Sequence, residues 1–156
     1  MAFELNINFV TPFRGQGQSR VKSHQIFQDR QPEGGIKERH QIEYSNGSFY
    51  IGGVFGDEPQ GEGKMTYNDD EGQVAEYTGS WASGKRSGWG TMKHRAYEYV
   101  GDWQAGHAHG LGQLTLKDDG RSYEGAFQHS KAHGEGEAKY ADGSSLHAFW
   151  HGGNHV

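Results

Sequence analysis

Apolar and polar positions alternate with a period of two through the middle of the chain, and the alternation is itself repeated. Side chains at i, i+2 and i+4 of a strand share a face. Tyr77, Gly79 and Trp81 therefore predict a strand with its rings on one side, with Thr78 and Ser80 on the other. The same pattern returns at Tyr99, Gly101 and Trp103. Each strand is followed by glycines at identical spacing: Gly84, Gly88 and Gly90 after the first, Gly106, Gly110 and Gly112 after the second. The middle glycine is expected to begin a turn, and the Gly-x-Gly pair to open a second strand with dihedral angles that other residues resist. Each unit then reads as a β-hairpin, with Asp-Gly or Asn-Gly turning the chain into the next.

Weaker copies flank this pair. Upstream, Tyr50-x-Gly52 leads to Val54 in the Trp place, Asp57 in the middle-glycine place and Gly61-x-Gly63. Downstream, Tyr123-x-Gly125-x-Phe127 has Ser130 for the middle glycine, then Gly134-x-Gly136. Leu146, Ala148, Trp150 and Gly153 form a degenerate half-unit, as expected of a cap with a neighbour on one face only. The units fall near 50–76, 77–98, 99–122 and 123–145, with the cap at 146–156. Before them, Tyr44-Ser-Asn46-Gly47-Ser-Phe49-Tyr50 reads as strand, Asn-Gly turn, strand. The predicted fold is all-β: an elongated, single-layer antiparallel β-meander of consecutive hairpins over 44–156, on the order of 40–45 Å long at about 4.8 Å per strand.

Residues 1–43 do not match the repeat and are expected to form an extended, irregular arm. Phe3, Leu5, Ile7 and Phe9 alternate with Glu4, Asn6 and Asn8, a short strand signal. From Thr11 to Arg39 the sequence is rich in Gln, Arg, Gly and Ser and shows no helix or strand period. Such a polar segment orders only against a partner.

Composition narrows the function. Apolar residues are 32% of the chain, too few for a single large core, yet aromatics are 13% and glycines number 26 of 156. A thin structure with an aromatic ladder as its core fits. No cysteine is present, which removes disulfides, thiolate metal sites and a thiol nucleophile. Neither a secretory leader nor a membrane-spanning apolar run is visible, and the expected location is the cytoplasm. Residues 1–47 carry six Lys/Arg against five acids, whereas 48–156 carry nine against fifteen. An acidic repeat domain repels phosphate backbones and anionic headgroups, which disfavours nucleic acid and weighs against membrane lipid.

The candidate partner-binding groove consists of Tyr77, Trp81, Tyr99, Trp103, Tyr123, Phe127 and Trp150. The competing reading is that these rings, above all Trp81, Trp103 and Phe127, stack on one another as core, one set holding the sheet and the other facing a ligand. The glycines expected to be structural are Gly79, Gly88, Gly90, Gly101, Gly110, Gly112, Gly125, Gly134 and Gly136. Lys85, Arg86, Lys93 and Arg95 form the one basic cluster suited to an anionic ligand. Ten histidines raise the question of a metal; His107, His109, His129 and His133 read as turn residues. His147, His151 and His155 would align only on a helix starting at Ser144. Asp69-Asp70-Glu71 and Asp118-Asp119 lack the alternation of a calcium loop and read as turns. No metal site, cofactor or catalytic constellation is expected.

At these residues the chain resembles the MORN-repeat family (membrane occupation and recognition nexus), whose unit is close to Tyr-x-Gly-x-Trp-x-x-Gly-x-x-x-Gly-x-Gly. Tyr77–Gly90 and Tyr99–Gly112 match at every position, and the resemblance covers about Tyr44 to Gly153. His109-Gly110 and His133-Gly134 look like family usage; Val54, Asp57, Ser130 and the eroded last unit depart from it. The resemblance implies a groove-forming meander used as a scaffold or ligand-holding module. Family members occur in ciliary radial spokes and other axonemal parts, in protozoan cytoskeleton, at membrane junctions and beside kinase or methyltransferase domains. It therefore implies a non-catalytic protein-interaction scaffold of a ciliary or other cytoskeletal assembly, binding a partner helix or strand. The alternative it implies is a peripheral module for phosphoinositides. Exposed sheet edges also permit a homodimer.

Overall fold

The computed structural model describes residues 20–69 and 72–156. Every regular element among them is a strand, and the strands succeed one another in chain order across one open antiparallel sheet. They are β1 Val21–Arg30, β2 Ile36–Tyr44, β3 Phe49–Phe55, β4 Glu58–Asp69, β5 Gly72–Ala82 and β6 Lys85–His94. After these come β7 Tyr97–Gln104, β8 His107–Leu116, β9 Ser122–Gln128, β10 Lys131–Lys139, β11 Ser145–His151 and β12 Asn154–His155. This is the all-β meander that the alternation and the repeats predict.

Two-residue turns close the repeat hairpins. Ser83 and Gly84 have φ of 50° and 79°, Ala105 and Gly106 49° and 86°, His129 and Ser130 50° and 64°. Positive φ at both central residues is the turn whose twist matches that of paired strands. Ser130 adopts it without being glycine because its surroundings hold it: its N–H donates to the Ala108 carbonyl (3.0 Å) and its hydroxyl accepts from the Ala108 N–H (3.1 Å). The equivalent backbone bond runs from Gly84 to Pro59, Gly106 to Arg86 and Gly153 to Ala132. Each turn thus leans on the hairpin before it.

The register aligns one glycine from each repeat strand. Gly52, Gly63, Gly79, Gly90, Gly101, Gly112, Gly125 and Gly136 pair in succession across β3 to β10. A tyrosine ring lies over the second glycine of each hairpin. At Gly90 any Cβ would overlap the ring of Tyr77. Gly88, Gly110 and Gly134 (φ 68°, 70° and 104°) sit at register shifts inside β6, β8 and β10. The Gly-x-Gly pair therefore does not open the second strand as expected. That strand begins three residues earlier, and the first glycine forms a bulge that bends it.

Two further expectations are corrected. The polar run before residue 44 is not irregular where described: β1 and β2 form a hairpin, and β2 pairs with β3, so the sheet crosses the expected boundary. Pairing supplies the order that composition alone does not. Ile42 and Tyr44 bury their side chains, Lys22 pairs with Glu43 (3.3 Å), and Asp29 pairs with Arg39 (2.9 Å), which stacks over Phe27. The Phe3–Phe9 alternation lies outside the described residues. At the other end no helix starts at Ser144; His147 and His151 lie on β11 and His155 on β12, because Leu146, Ala148 and Trp150 extend the sheet pattern instead.

Candidate interaction surface

The rings expected to line a groove are the core. Tyr50, Trp81, Tyr77, Trp103, Tyr99, Phe127, Tyr123 and Trp150 form one unbroken column of edge-to-face contacts, with centroids 5.1–5.4 Å apart. All are 0–3% exposed. Each tyrosine hydroxyl donates to the carbonyl three residues on: Tyr50 to Gly53, Tyr77 to Ser80, Tyr99 to Asp102 and Tyr123 to Ala126, at 2.7–2.9 Å. The indole N–H groups of Trp81, Trp103 and Trp150 donate to the carbonyls of Gly63, Gly90 and Gly136 (3.1–3.2 Å). Edge-to-face pairs contribute about 0.5–1.5 kcal/mol each beyond the area they bury. The division into holding rings and ligand-facing rings does not arise, because one face of the sheet carries the whole set and the rings pack edge-to-face along it. Burial raises the phenols above their usual value; Tyr44 and Tyr123 are each pushed up to about 12.

The basic cluster does not converge either. Arg86 is buried: it donates to the Tyr67 hydroxyl (2.9 Å) and the Gly106 carbonyl (2.7 Å), with its guanidinium over the Trp103 ring at 5.0 Å. It is a strut between three consecutive hairpins, not an anion ligand. Lys85 and Lys93 stand exposed at opposite ends of β6, on the order of 27 Å apart along the strand. Arg95 is exposed in the connection to β7.

The face opposite the rings carries what a partner can reach. Trp89, Leu111 and Phe149 are exposed by 58%, 64% and 66%. Trp89 and Leu111 are the central residues of two Gly-x-Gly bulges, and each projects away from the ring column because the glycine that follows it, Gly90 or Gly112, lies on the ring side. Trp89 pairs with Asp102, Leu111 with Ala126 and Glu135 with Phe149, so all share one row across β6 to β11. By strand spacing Leu111 stands about 10 Å from Trp89 and about 14 Å from Phe149. Carboxylates punctuate the row. Asp102 accepts the Leu111 N–H (3.2 Å), Glu135 pairs with His147 (3.3 Å), and Glu62 at the β4 end accepts from the Ser80 hydroxyl. The sequence signal for Glu62, Trp89, Leu111 and Glu135 was the variable residue between the paired glycines, and for Asp102 and Phe149 the variable residue before the tryptophan; the repeat pattern leaves both unspecified.

Among the described residues no group of three or more histidine, aspartate or glutamate side chains is placed to hold a metal. His107 lies against His129 (5.9 Å between centroids) and His133 against His151 (4.8 Å). Burial first, then His129, Arg86 and Lys85, lowers the tendency of His107 to take a proton. Asp119 is committed to Arg121 (2.7 Å), and Asp118 accepts the Asp119 N–H (2.7 Å), as turn residues do. Asp70 and Glu71 lie outside the described residues.

A family model described as MORN repeat matches the chain at residues 50–71, 77–94, 99–121 and 123–145. These four matches take up more than half of the chain and coincide with the hairpins β3–β4, β5–β6, β7–β8 and β9–β10. No curated protein sequence matches the chain.

Proposed function

The chain belongs to the MORN-repeat family, and from that premise we propose that it is a non-catalytic scaffold whose exposed Trp89–Leu111–Phe149 row docks a partner protein. MORN repeats serve in protein–protein and membrane-binding modules. The observation that carries the protein reading is the composition of the row: three large apolar side chains in register, interleaved with Glu62, Asp102 and Glu135. Exposed aromatics anchor interfaces, and flanking charge selects the partner's sign. The fitting occupant is an amphipathic protein segment with apolar side chains and Lys or Arg between them. An anionic headgroup meets repulsion on this face, and Lys85 and Lys93 are too far apart to share one. The setting proposed is cytoplasmic, in a cytoskeletal assembly of the ciliary or axonemal kind, a reading that rests on family membership.

The test is site-specific photocrosslinking in cells, with a crosslinking residue at position 89, 111 or 149 and a control at Thr78 on the same face but in a different row. The proposal expects one protein adduct common to the three row positions, absent from the control and lost when Asp102 and Glu135 are changed to Lys. Adducts to lipid, or identical adducts from position 78, would overturn it.

A further inference from the structure

β1 and β2 are a repeat unit in register although no repeat motif marks them. Tyr50 pairs with Met65, and its ring lies over Gly63, two residues before. Tyr77 stands in the same relation to Met92 and Gly90. His24 pairs with Ile42, and two residues before Ile42 is His40, which pairs with Gly52 at the end of the glycine row. His24 thus occupies the tyrosine place and His40 the glycine place of a sixth hairpin. A ring cannot lie over a residue with a side chain, so the two imidazoles meet instead, with His24 Nε2 2.9 Å from His40 Nδ1. The outer nitrogens also face acceptors: His24 Nδ1 is 3.0 Å from Asp57 Oδ1, and His40 Nε2 is 3.5 Å from Glu38 Oε2. Asp57, which stands where the second and third repeats have the turn glycines Gly84 and Gly106, is thereby bound to the neighbouring hairpin.

We propose that the chain Asp57–His24–His40–Glu38 is a proton-operated latch that holds the N-terminal hairpin to the first repeat and opens on acidification. The reason is a count of hydrogens. Four ring nitrogens make three contacts, and the inner contact holds one hydrogen only. With three protons on the pair, His24 donates to Asp57, one proton is shared between the rings, and His40 donates to Glu38. The single positive charge then lies between two carboxylates. With two protons the Asp57 and His24–His40 bonds persist and only the longest contact is lost. A fourth proton sets N–H against N–H at the inner contact, and the rings must part. Histidine is the side chain that gains a proton as pH falls from 8 to 5.

Among the described residues the surrounding charges do not supply a competing switch. On β1 and β2, Lys22 is engaged by Glu43 and Asp29 by Arg39, and the β3–β4 turn brings Glu58 beside Asp57. The side chains of His24 and His40 are 20% and 15% exposed, so protons reach them without unfolding of the repeats.

Amide hydrogen exchange of the full chain, corrected for intrinsic rates, tests this across about pH 8 to pH 5. Opening that takes up one proton raises the opening constant of β1 about tenfold per pH unit on the acid side, while β5 to β8 stay protected. In His40→Asn an amide replaces the ring nitrogen and can turn either its oxygen or its NH2 to His24, so the pH dependence of β1 is expected to vanish. Protection of β1 in the wild-type chain that does not change with pH, or changes in step with β5 to β8, would overturn the latch. So would undiminished pH dependence in His40→Asn. Should that variant fail to fold, the wild-type comparison of β1 with β5 to β8 decides alone.

Discussion

The ring of Tyr77 lies across the backbone of Gly90 with no room between them for a methyl group, and its hydroxyl reaches on to the Ser80 carbonyl at 2.9 Å. Gly90 pairs directly with Gly79, the residue between Tyr77 and Trp81. The spacing Tyr-x-Gly-x-Trp is in this light a packing rule. The ring needs bare backbone on the next strand, and bare backbone there lets the following Trp103 approach to 5.2 Å.

That relationship separates two variants. Tyr77→Phe keeps the ring and loses one buried hydrogen bond, a cost of about 1 kcal/mol. Gly90→Ala forces the ring off its seat and disturbs the column on both sides, at about 3 kcal/mol, the upper end of overpacking costs. Urea unfolding midpoints measure both, and the glycine variant is expected to be the more damaging although it adds one carbon.

Arg86 gives a second contrast. Arg86→Lys keeps a charge but loses the fork that spans the Tyr67 hydroxyl and the Gly106 carbonyl, and is expected to cost about 2 kcal/mol. Lys85→Met, one residue away and exposed, is expected to stay within about 0.5 kcal/mol. The same urea midpoints check this. Equal effects would place Arg86 at the surface.

The phenols set the alkaline limit. Tyr44 and Tyr123, pushed up to about 12 by burial, ionise less readily in the folded chain than in the unfolded one. A group whose folded value is raised contributes stability that is complete below its ordinary value of 10.0 and is lost as pH rises towards 12. Phenolate absorbance is therefore expected to lag in the native protein above pH 10 and to rise together with loss of the sheet's circular dichroism. A full phenolate signal with the sheet intact would contradict the buried column.

The repeat hairpins were legible because tyrosine, glycine and tryptophan two residues apart state both the strand period and the face. What that pattern did not state was depth. Trp81 reads the same whether its ring meets another ring or a partner, and Arg86 reads as a solvated cation until Tyr67, Trp103 and Gly106 are seen around it. The hairpin β1–β2 was illegible for a different reason: His24 and His40 fill the tyrosine and glycine places, and Gln25 and Gln28 make the strand polar. A signal was nonetheless present, since His24 lies 26 residues before Tyr50, one repeat length by the 27 that separate Tyr50 from Tyr77. The outer row was hidden in variable positions, between the paired glycines for Trp89 and Leu111 and between Ala148 and Trp150 for Phe149, and only the register brings the three together.

Acrylamide quenching of tryptophan fluorescence tests most directly the claim that the motif's rings are core and the opposite face is the one open to partners. Of the four tryptophans, Trp81, Trp103 and Trp150 are 2–3% exposed and Trp89 is 58% exposed. Trp89→Phe is expected to leave emission that acrylamide barely quenches, while the wild-type chain retains one readily quenched component. Strong quenching that survives in Trp89→Phe would mean that the motif's rings line an open groove, and the assignment of core and surface would be reversed.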